Sequence, residues 1–353
     1  MKILDKEISN DNPTYFIADI AASHDGDLSR AIDLIHLCAD SGADAAKFQH
    51  FEAETIVSDI GFKNLGNQKS HQSSWKKSVF EVYKDASLPF EWTSKLKEEA
   101  KKAGIAFFTS PYSLELVDKV DDYVCAYKIG SGDLTWLEIV EHIAKKNKPV
   151  IIASGASEID EVDQAITKIK KYNEEICLMQ CNTNYTASLD NFNHLNLNVI
   201  KQFNKRFPGI ILGLSDHTPG HSSVLGAVAL GARMIEKHFT DDNFREGPDH
   251  LFSMNPESWR EMVDRTRELE SSLGDGHKKV EENELETQVL QQRSIRSNKN
   301  LNKGQIIKKS DFFPLRPCPS DAIKPYDFDK IIGKKLIKDL NKEEHLTWDH
   351  IKK

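Results

Sequence analysis

Phe16-Ile17-Ala18-Asp19-Ile20-Ala21, the helix-periodic stretch 28–41 and Asp44-Ala45-Ala46-Lys47-Phe48 form the unit whose reading decides the fold. Two short, continuous apolar runs flank an amphipathic one, the pattern of a strand–helix–strand crossover whose strands are buried on both faces. The helical stretch begins after an Asp and stops before Gly42, the usual punctuation of a helix. Further apolar runs follow at 105–109, 125–129, 149–153, 176–180, 210–214 and 233–236, making eight. Helical periodicity recurs at 91–103, 158–170 and 256–273. This alternation predicts an α/β fold, a TIM-type (β/α)8 barrel with right-handed crossovers.

Residues 52–89 are too long for a plain strand–helix loop and hold a polar stretch, 64–74, so a lid or insertion over the second strand is expected there. After Gly274 the pattern changes. Residues 275–290 are charged and strand-poor, the composition of a linker. Short β-like runs at 293–296, 305–307 and 312–315 then predict a small β-rich domain over 291–353, behind a barrel domain over 1–274. The length of 353 residues accommodates both.

Composition narrows the function classes. With 29% charged and 39% apolar residues the chain reads as a globular enzyme, and a net charge of -8 argues against nucleic-acid or anionic-membrane partners. Five scattered cysteines without CxxC spacing indicate neither a disulfide framework nor a thiolate zinc site. Residues 1–14 are polar and no apolar run reaches membrane-spanning length, so a reducing cytoplasm is the expected location.

In a barrel of this type the active site lies at the C-terminal ends of the strands. Polar residues close nearly every run: Asp19 and His24, Lys47 and Gln49, Thr109 and Ser110, Lys128 with Ser131 and Asp133, Ser154, Asn182 with Asn184, Ser215 with His217, and Glu236 with Lys237 and His238. Singly, each has a plain structural alternative: a strand-end Ser or Thr caps a helix, a Lys pairs with a carboxylate, a His packs in the core. Their convergence on one rim points to chemistry. His217 and His238 close successive strands, so two imidazoles stand side by side where a divalent ion can bind with open positions. Lys47, Lys128 and Lys237 suit a phosphate and a carboxylate, and Asp19, Asp133 and Glu236 suit proton transfer or sugar hydroxyls.

The chain resembles the sialic acid synthases and their legionaminic and pseudaminic acid relatives. The resemblance rests on Gly42-Ala43-Asp44-Ala45-Ala46-Lys47-Phe48-Gln49, Lys128-Ile129-Gly130-Ser131-Gly132-Asp133, Ser215-Asp216-His217-Thr218, Ile235-Glu236-Lys237-His238-Phe239-Thr240 and Gly247-Pro248-Asp249-His250. Asn302-Lys303-Gly304-Gln305 and Leu315-Arg316-Pro317 resemble the antifreeze-like (SAF) domain of that family. The resemblance implies a transferase that condenses phosphoenolpyruvate with an N-acylated hexosamine and releases phosphate. His217 and His238 would hold Mn2+ or Mg2+, while Lys47, Thr109, Ser131, Ser154 and Ser215 surround phosphoenolpyruvate and Lys128 serves its phosphate. Asp19 or Glu236 would transfer protons. A domain-swapped homodimer is implied too, bringing Arg316 to the acyl group of the sugar. Where the family has Cys-Thr-x-x-Tyr-Pro this chain has Cys181-Asn182-Thr183-Asn184-Tyr185-Thr186, so Asn182, Thr183, Asn184 and Tyr185 are candidate substrate contacts. Asp19 and Asp133 replace the family's usual glutamates, and Ser23 replaces the Asn before the rim histidine. Two rival readings remain at this stage: a Schiff-base pyruvate aldolase, and a carbohydrate- or ice-binding protein whose barrel is a scaffold.

Overall fold

A computed structural model describes residues 1–65, 72 and 75–351 of the chain. Of the polar stretch 64–74, residues 66–71, 73 and 74 lie outside the described residues. The chain divides into two compact units, Met1–Gly274 and Asp275–Lys353.

The first unit opens with a hairpin, β1 (Lys2–Ile3) and β2 (Lys6–Glu7), which buries Ile3 and Ile8. Eight parallel strands then close a barrel: β3 (Tyr15–Asp19), β4 (Ala45–His50), β5 (Ala106–Pro111), β6 (Tyr127–Ile129), β7 (Val150–Ala153), β8 (Ile176–Cys181), β9 (Ile211–Asp216) and β10 (Met234–His238), with β10 returning to pair with β3. The barrel of the sequence reading is present. The last strand runs to His238 rather than to Glu236 because the polar Lys237 and His238 still pair in register with Ala18 and Asp19.

Helices α1 (Leu28–Asp40), α5 (Thr93–Lys102), α6 (Leu114–Val120), α7 (Leu137–Ala144), α8 (Ile159–Lys170), α9 (Val199–Arg206), α10 (Ser222–Ala229) and α11 (Pro256–Leu273) follow the strands. In α1 the Asp27 carboxylate accepts the free N–H groups of Ser29 and Arg30, and Ala31, Leu34, Ile35 and Cys38 form its buried stripe. Helix α11 starts on an Asn255 capping box with Pro256 in its first turn. The insertion after β4 carries three short helices, α2 (Ala53–Ile56), α3 (Asp59–Asn64) and α4 (Val79–Ala86). No helix among the described residues is long and apolar enough to cross a membrane.

In the second unit, residues 275–290 were expected as a linker, yet they include a 3-10 turn, Glu282–Glu284, and most of helix α12 (Leu285–Gln291). The seven-residue run 285–291 is too short to show helical periodicity beside the charged stretch that precedes it. Beyond it, β11 (Ser294–Ser297) pairs antiparallel with β12 (Phe312–Leu315), over a core that includes Ile295, Leu301, Phe312, Ile331 and Leu346.

Inside the barrel, packing is tight enough to forbid a side chain at one position of β9. A Cβ on Gly213 would lie 2.6 Å from the Met234 carbonyl oxygen and 2.9 Å from Cγ of Met179. The backbone neighbour cannot move without opening the β9–β10 ladder. We expect Gly213→Ala to cost about 1–3 kcal/mol, as overpacked cores do, read as a lowered midpoint in chemical denaturation. An unchanged midpoint would show that the barrel wall yields.

Candidate active site

Side chains of a strand point alternately to its two faces, and in a barrel one face is the interior. Asp19, Lys47, Gln49, Ser110, Lys128, Ser215 and Glu236 point inward and meet. Lys47 Nζ donates to Asp19 Oδ2 at 2.6 Å and lies 3.6 Å from Glu236 Oε1 and 3.5 Å from Ser110 Oγ. Lys128 Nζ donates to Glu236 Oε1 at 2.6 Å, Ser215 Oγ donates to the same oxygen at 3.2 Å, and Gln49 Nε2 donates to Asp19 Oδ2 at 3.0 Å. Burial alone would raise the pKa of each carboxyl; for Asp19 the charge of Lys47, with His238 beside it, outweighs burial, and for Glu236 Lys128 and Lys47 do, so both are held below their ordinary values. Lys47 shows the complement: burial opposes its charge, and Asp19 with Glu236 more than restores it. Glu236 Oε2 is buried without a hydrogen-bond partner among the described residues. Such an atom costs about 1–3 kcal/mol, which a structure tolerates where a ligand completes the set.

Above this layer stand the two histidines, with ring centroids 5.4 Å apart. His217 Nδ1 donates to the Asn182 carbonyl at 2.9 Å, which leaves its Nε2 with a free lone pair. Burial first, and His238 second, push His217 down to about 3, so it is neutral at physiological pH. His238 Nε2 lies 3.5 Å from Asp19 Oδ2, and its Nδ1 is buried and unpartnered. No cluster of three His, Cys, Asp or Glu groups suited to a metal occurs among the described residues. Two adjacent imidazoles, His217 with its free Nε2 lone pair and His238 with an orphaned Nδ1, nonetheless fit a divalent ion that takes its remaining ligands from water or substrate.

A cavity of about 430 Å³ opens over His238. Gln49, Ser131, Asp133, Thr183, Tyr185, His238 and Asp249 supply its polar wall, and Phe51, Trp75, Val82, Tyr83 and Tyr112 its apolar one. Phe51 packs against Tyr83 at 5.4 Å and Tyr112 at 6.0 Å between centroids. Tyr185 stacks 4.2 Å from His217. The Ser131 hydroxyl accepts from Gly155 N at 3.0 Å, an approach only glycine permits, since a Cβ there would lie 2.5 Å from Thr183 Cγ2. Burial pushes the Asp133 carboxyl up to about 6.

A model of the NeuB family matches residues 34–278, and one of the SAF domain matches residues 292–352. The chain belongs to the NeuB family. It is similar to an N,N'-diacetyllegionaminic acid synthase of Legionella pneumophila, 35% identical over 96% of this chain and 94% of the relative. A pseudaminic acid synthase of Campylobacter jejuni is 32% identical, over 94% and 95%. Among solved structures, an N-acetylneuraminic acid (sialic acid) synthetase of Leptospira borgpetersenii in complex with citrate superposes with a TM-score of 0.70 at 27% identity, covering 81% of this chain and 94% of that one. As a NeuB-family enzyme the chain is a phosphoenolpyruvate-using synthase of the transferase type.

Within this NeuB-family site, strand alternation divides the residues expected from sequence. Three point away from the interior. Thr109 donates to the Phe48 carbonyl and pairs with His50, behind the sheet; its neighbour Ser110 takes the inward place. Ser154 donates to the Met179 carbonyl at 3.0 Å and lines a separate cavity of about 660 Å³. Lys237 Nζ is bound to Asp216 Oδ2 at 2.5 Å and the Thr218 carbonyl at 2.6 Å, with no path to the mouth. Each lies one residue out of phase with an inward neighbour. Asn182 and Asn184 are also turned aside: Asn182 Nδ2 donates to the His194 carbonyl and Asn184 Oδ1 accepts from Thr186. Asn182 contributes its backbone carbonyl instead. His24, at the rim in the sequence reading, is buried against Trp92. Arg316 is exposed in the second unit. Sequence reasoning placed Ser110 on the rim beside Thr109 but gave it no role of its own, and it missed Tyr83, Tyr112 and Asp249. Asp249, whose carboxylate accepts from Ala22 N at 2.9 Å, stood in a quoted motif and was passed over; the tyrosines carried no signal before the chain was folded.

Asp133 provides a test of this environment. Its folded pKa of about 6 stands above the ordinary 3.8, so folding favours its protonated form. Stability therefore falls as pH rises from about 4 to 6, and the penalty is constant above that. Asp133→Asn should raise the melting temperature at pH 7–8 and leave it unchanged near pH 4, with a ceiling of roughly 3 kcal/mol that solvent in the cavity reduces. Equal effects at both pH values would contradict a strained carboxyl.

Proposed function

We propose that this chain joins phosphoenolpyruvate to a di-N-acylated hexosamine, forming a legionaminic-acid-type nine-carbon sugar acid. The observation that carries this reading is the stacking of two buried Lys–carboxylate pairs, Lys47–Asp19 and Lys128–Glu236, directly beneath the His217–His238 pair. In this reading Lys47 and Lys128 bind the phosphate and carboxylate of phosphoenolpyruvate, with Ser131, Ser215 and Ser110 as hydrogen-bond donors. C3 of phosphoenolpyruvate bonds to the sugar's aldehyde carbon, water adds at C2, and the C2–O bond to phosphate breaks. Glu236, whose Oε2 has no hydrogen-bond partner among the described residues, takes the proton of the water; the alkoxide formed from the aldehyde gains that proton by way of Asp19, and the C2 hydroxyl gives its own proton to the departing phosphate as the ketone forms. His217 and His238 would hold Mn2+ or Mg2+, which when bound supplies Lewis-acid polarisation of the aldehyde. Because Asp19 and Glu236 keep Lys47 protonated, it is in the wrong state for a Schiff-base nucleophile, which counts against an aldolase.

The sugar assignment draws support from the apolar wall of Phe51, Val82, Tyr83 and Tyr112, which suits a second acyl group better than a free hydroxyl. Asp133, one methylene shorter than the glutamate usual there in the family, gives that end more room. The name of the Legionella relative, an N,N'-diacetyllegionaminic acid synthase, points the same way. The five unpaired cysteines suit a cytoplasmic enzyme.

Incubation with phosphoenolpyruvate and a panel of mono- and di-N-acylated hexoses should release phosphate stoichiometrically with product. We expect a kcat/KM at least tenfold higher for a di-N-acyl sugar than for N-acetylmannosamine, and loss of turnover in excess chelator that Mn2+ or Mg2+ restores. Pyruvate consumption without phosphate release would favour the aldolase.

We further propose that the chain works as a homodimer in which Arg316, exposed in its own unit, serves the partner's site. Mixed Arg316→Ala and Lys47→Ala subunits, each inactive alone, should recover about a quarter to half of the activity expected from the heterodimer fraction. Absence of recovery after verified subunit exchange would refute action in trans.

A further inference from the structure

Behind the two histidines lies a charged cluster that touches neither the cavity nor the interior ion pairs. Lys237 Nζ donates to Asp216 Oδ2 at 2.5 Å and to the Thr218 carbonyl at 2.6 Å. Asp216 Oδ2 also accepts from Ser223 Oγ at 2.6 Å, and its Oδ1 accepts from the Thr218 backbone N–H at 3.0 Å. The Thr218 and Ser223 hydroxyls are 2.8 Å apart. The side chains of Lys237 and Asp216 are 1% and 0% exposed. A fully buried ion pair is seldom a net source of stability, because desolvation offsets its attraction. Its geometry suggests what it does instead.

β9 leaves the ladder at Asp216, whose last rung is Lys237, so His217 and Thr218 have no strand partner to fix them. One ammonium group grips both sides of His217, through the Asp216 side chain and the Thr218 carbonyl, and its own backbone adjoins His238. His238 is still registered against Asp19 in β3. The Asn182 carbonyl holds the His217 ring itself, and the cluster fixes the backbone on either side of it relative to His238.

We propose that Lys237, with Asp216, is a positioning residue that holds His217 and His238 at the separation a divalent cation requires, touching neither the cation nor the substrate. This rests on the reading of the two histidines as a metal pair.

The test is Mn2+ binding, measured by electron paramagnetic resonance of free Mn2+, on the full-length protein. The double variant Asp216→Asn/Lys237→Met removes both charges together and keeps an oxygen for the Thr218 N–H. It should bind Mn2+ about 10- to 100-fold more weakly, the range seen when groups supporting metal ligands are lost. At saturating Mn2+ its KM for phosphoenolpyruvate should stay within twofold. Wild-type Mn2+ affinity in a folded double variant overturns the proposal, and so does a large rise in that KM at unchanged Mn2+ affinity, which would make Lys237 a substrate ligand. If the double variant does not fold, Ser223→Ala removes one donor to Asp216 and no charge. It should weaken Mn2+ binding severalfold, and unchanged affinity again overturns the proposal. His217→Ala separates the two layers of argument: it must abolish binding if the metal reading is right, and Mn2+ binding that survives it refutes that reading and the positioning role with it.

Discussion

Charges buried in the barrel must be paired, and this requirement shapes the rest of the site. Lys47, Lys128, Asp19 and Glu236 sit in a dry interior where an isolated ion would be expelled or neutralised. Paired as they are, Asp19, Glu236 and Lys47 are held in their charged forms, and Lys47 keeps the charge that an anionic substrate needs. The set is not saturated: one oxygen of Glu236 and one nitrogen of His238 have no partner among the described residues. The barrel thus carries a fixed array of charge with two polar atoms free to receive a ligand, the preorganisation that electrostatic catalysis relies on.

The outward faces of the same strands are used differently. His50 bridges Thr93 and Thr109 behind β4 and β5, and Lys237 bridges Asp216 and Thr218 behind β9 and β10. These groups are as deeply buried as the catalytic candidates and as polar. What separates them is that their hydrogen bonds are satisfied within the protein. Burial and polarity therefore do not by themselves mark a functional side chain in this fold; the direction in which it leaves the strand does.

Specificity is drawn from a third source, the irregular segments above the strands. Helix α4, carried by the insertion after β4, brings Val82 and Tyr83 to the cavity, while the loop after β10 brings Asp249. An apolar wall from one connection and a carboxylate from another can vary without disturbing the interior ion pairs. A fixed interior beneath a variable mouth is the division of labour usual in barrels of this type.

The sequence by itself determined the barrel, because continuous apolar runs alternating with amphipathic ones admit few other arrangements, and it located the rim, because polar residues ended those runs. It also singled out His217, His238, Lys47, Lys128, Asp19 and Glu236. Only the tertiary structure decided phase. At a strand end a shift of one residue reverses a side chain's direction, and with both faces buried no hydrophobic alternation betrays which face is which. Thr109, Ser154 and Lys237 read as inward for that reason, and Ser110, which closes the same run as Thr109, was given no role of its own. Tyr83, Tyr112 and Asp249 meet only when segments far apart in sequence are closed over one mouth, a proximity created by the closure of the barrel and written in no single stretch of the chain.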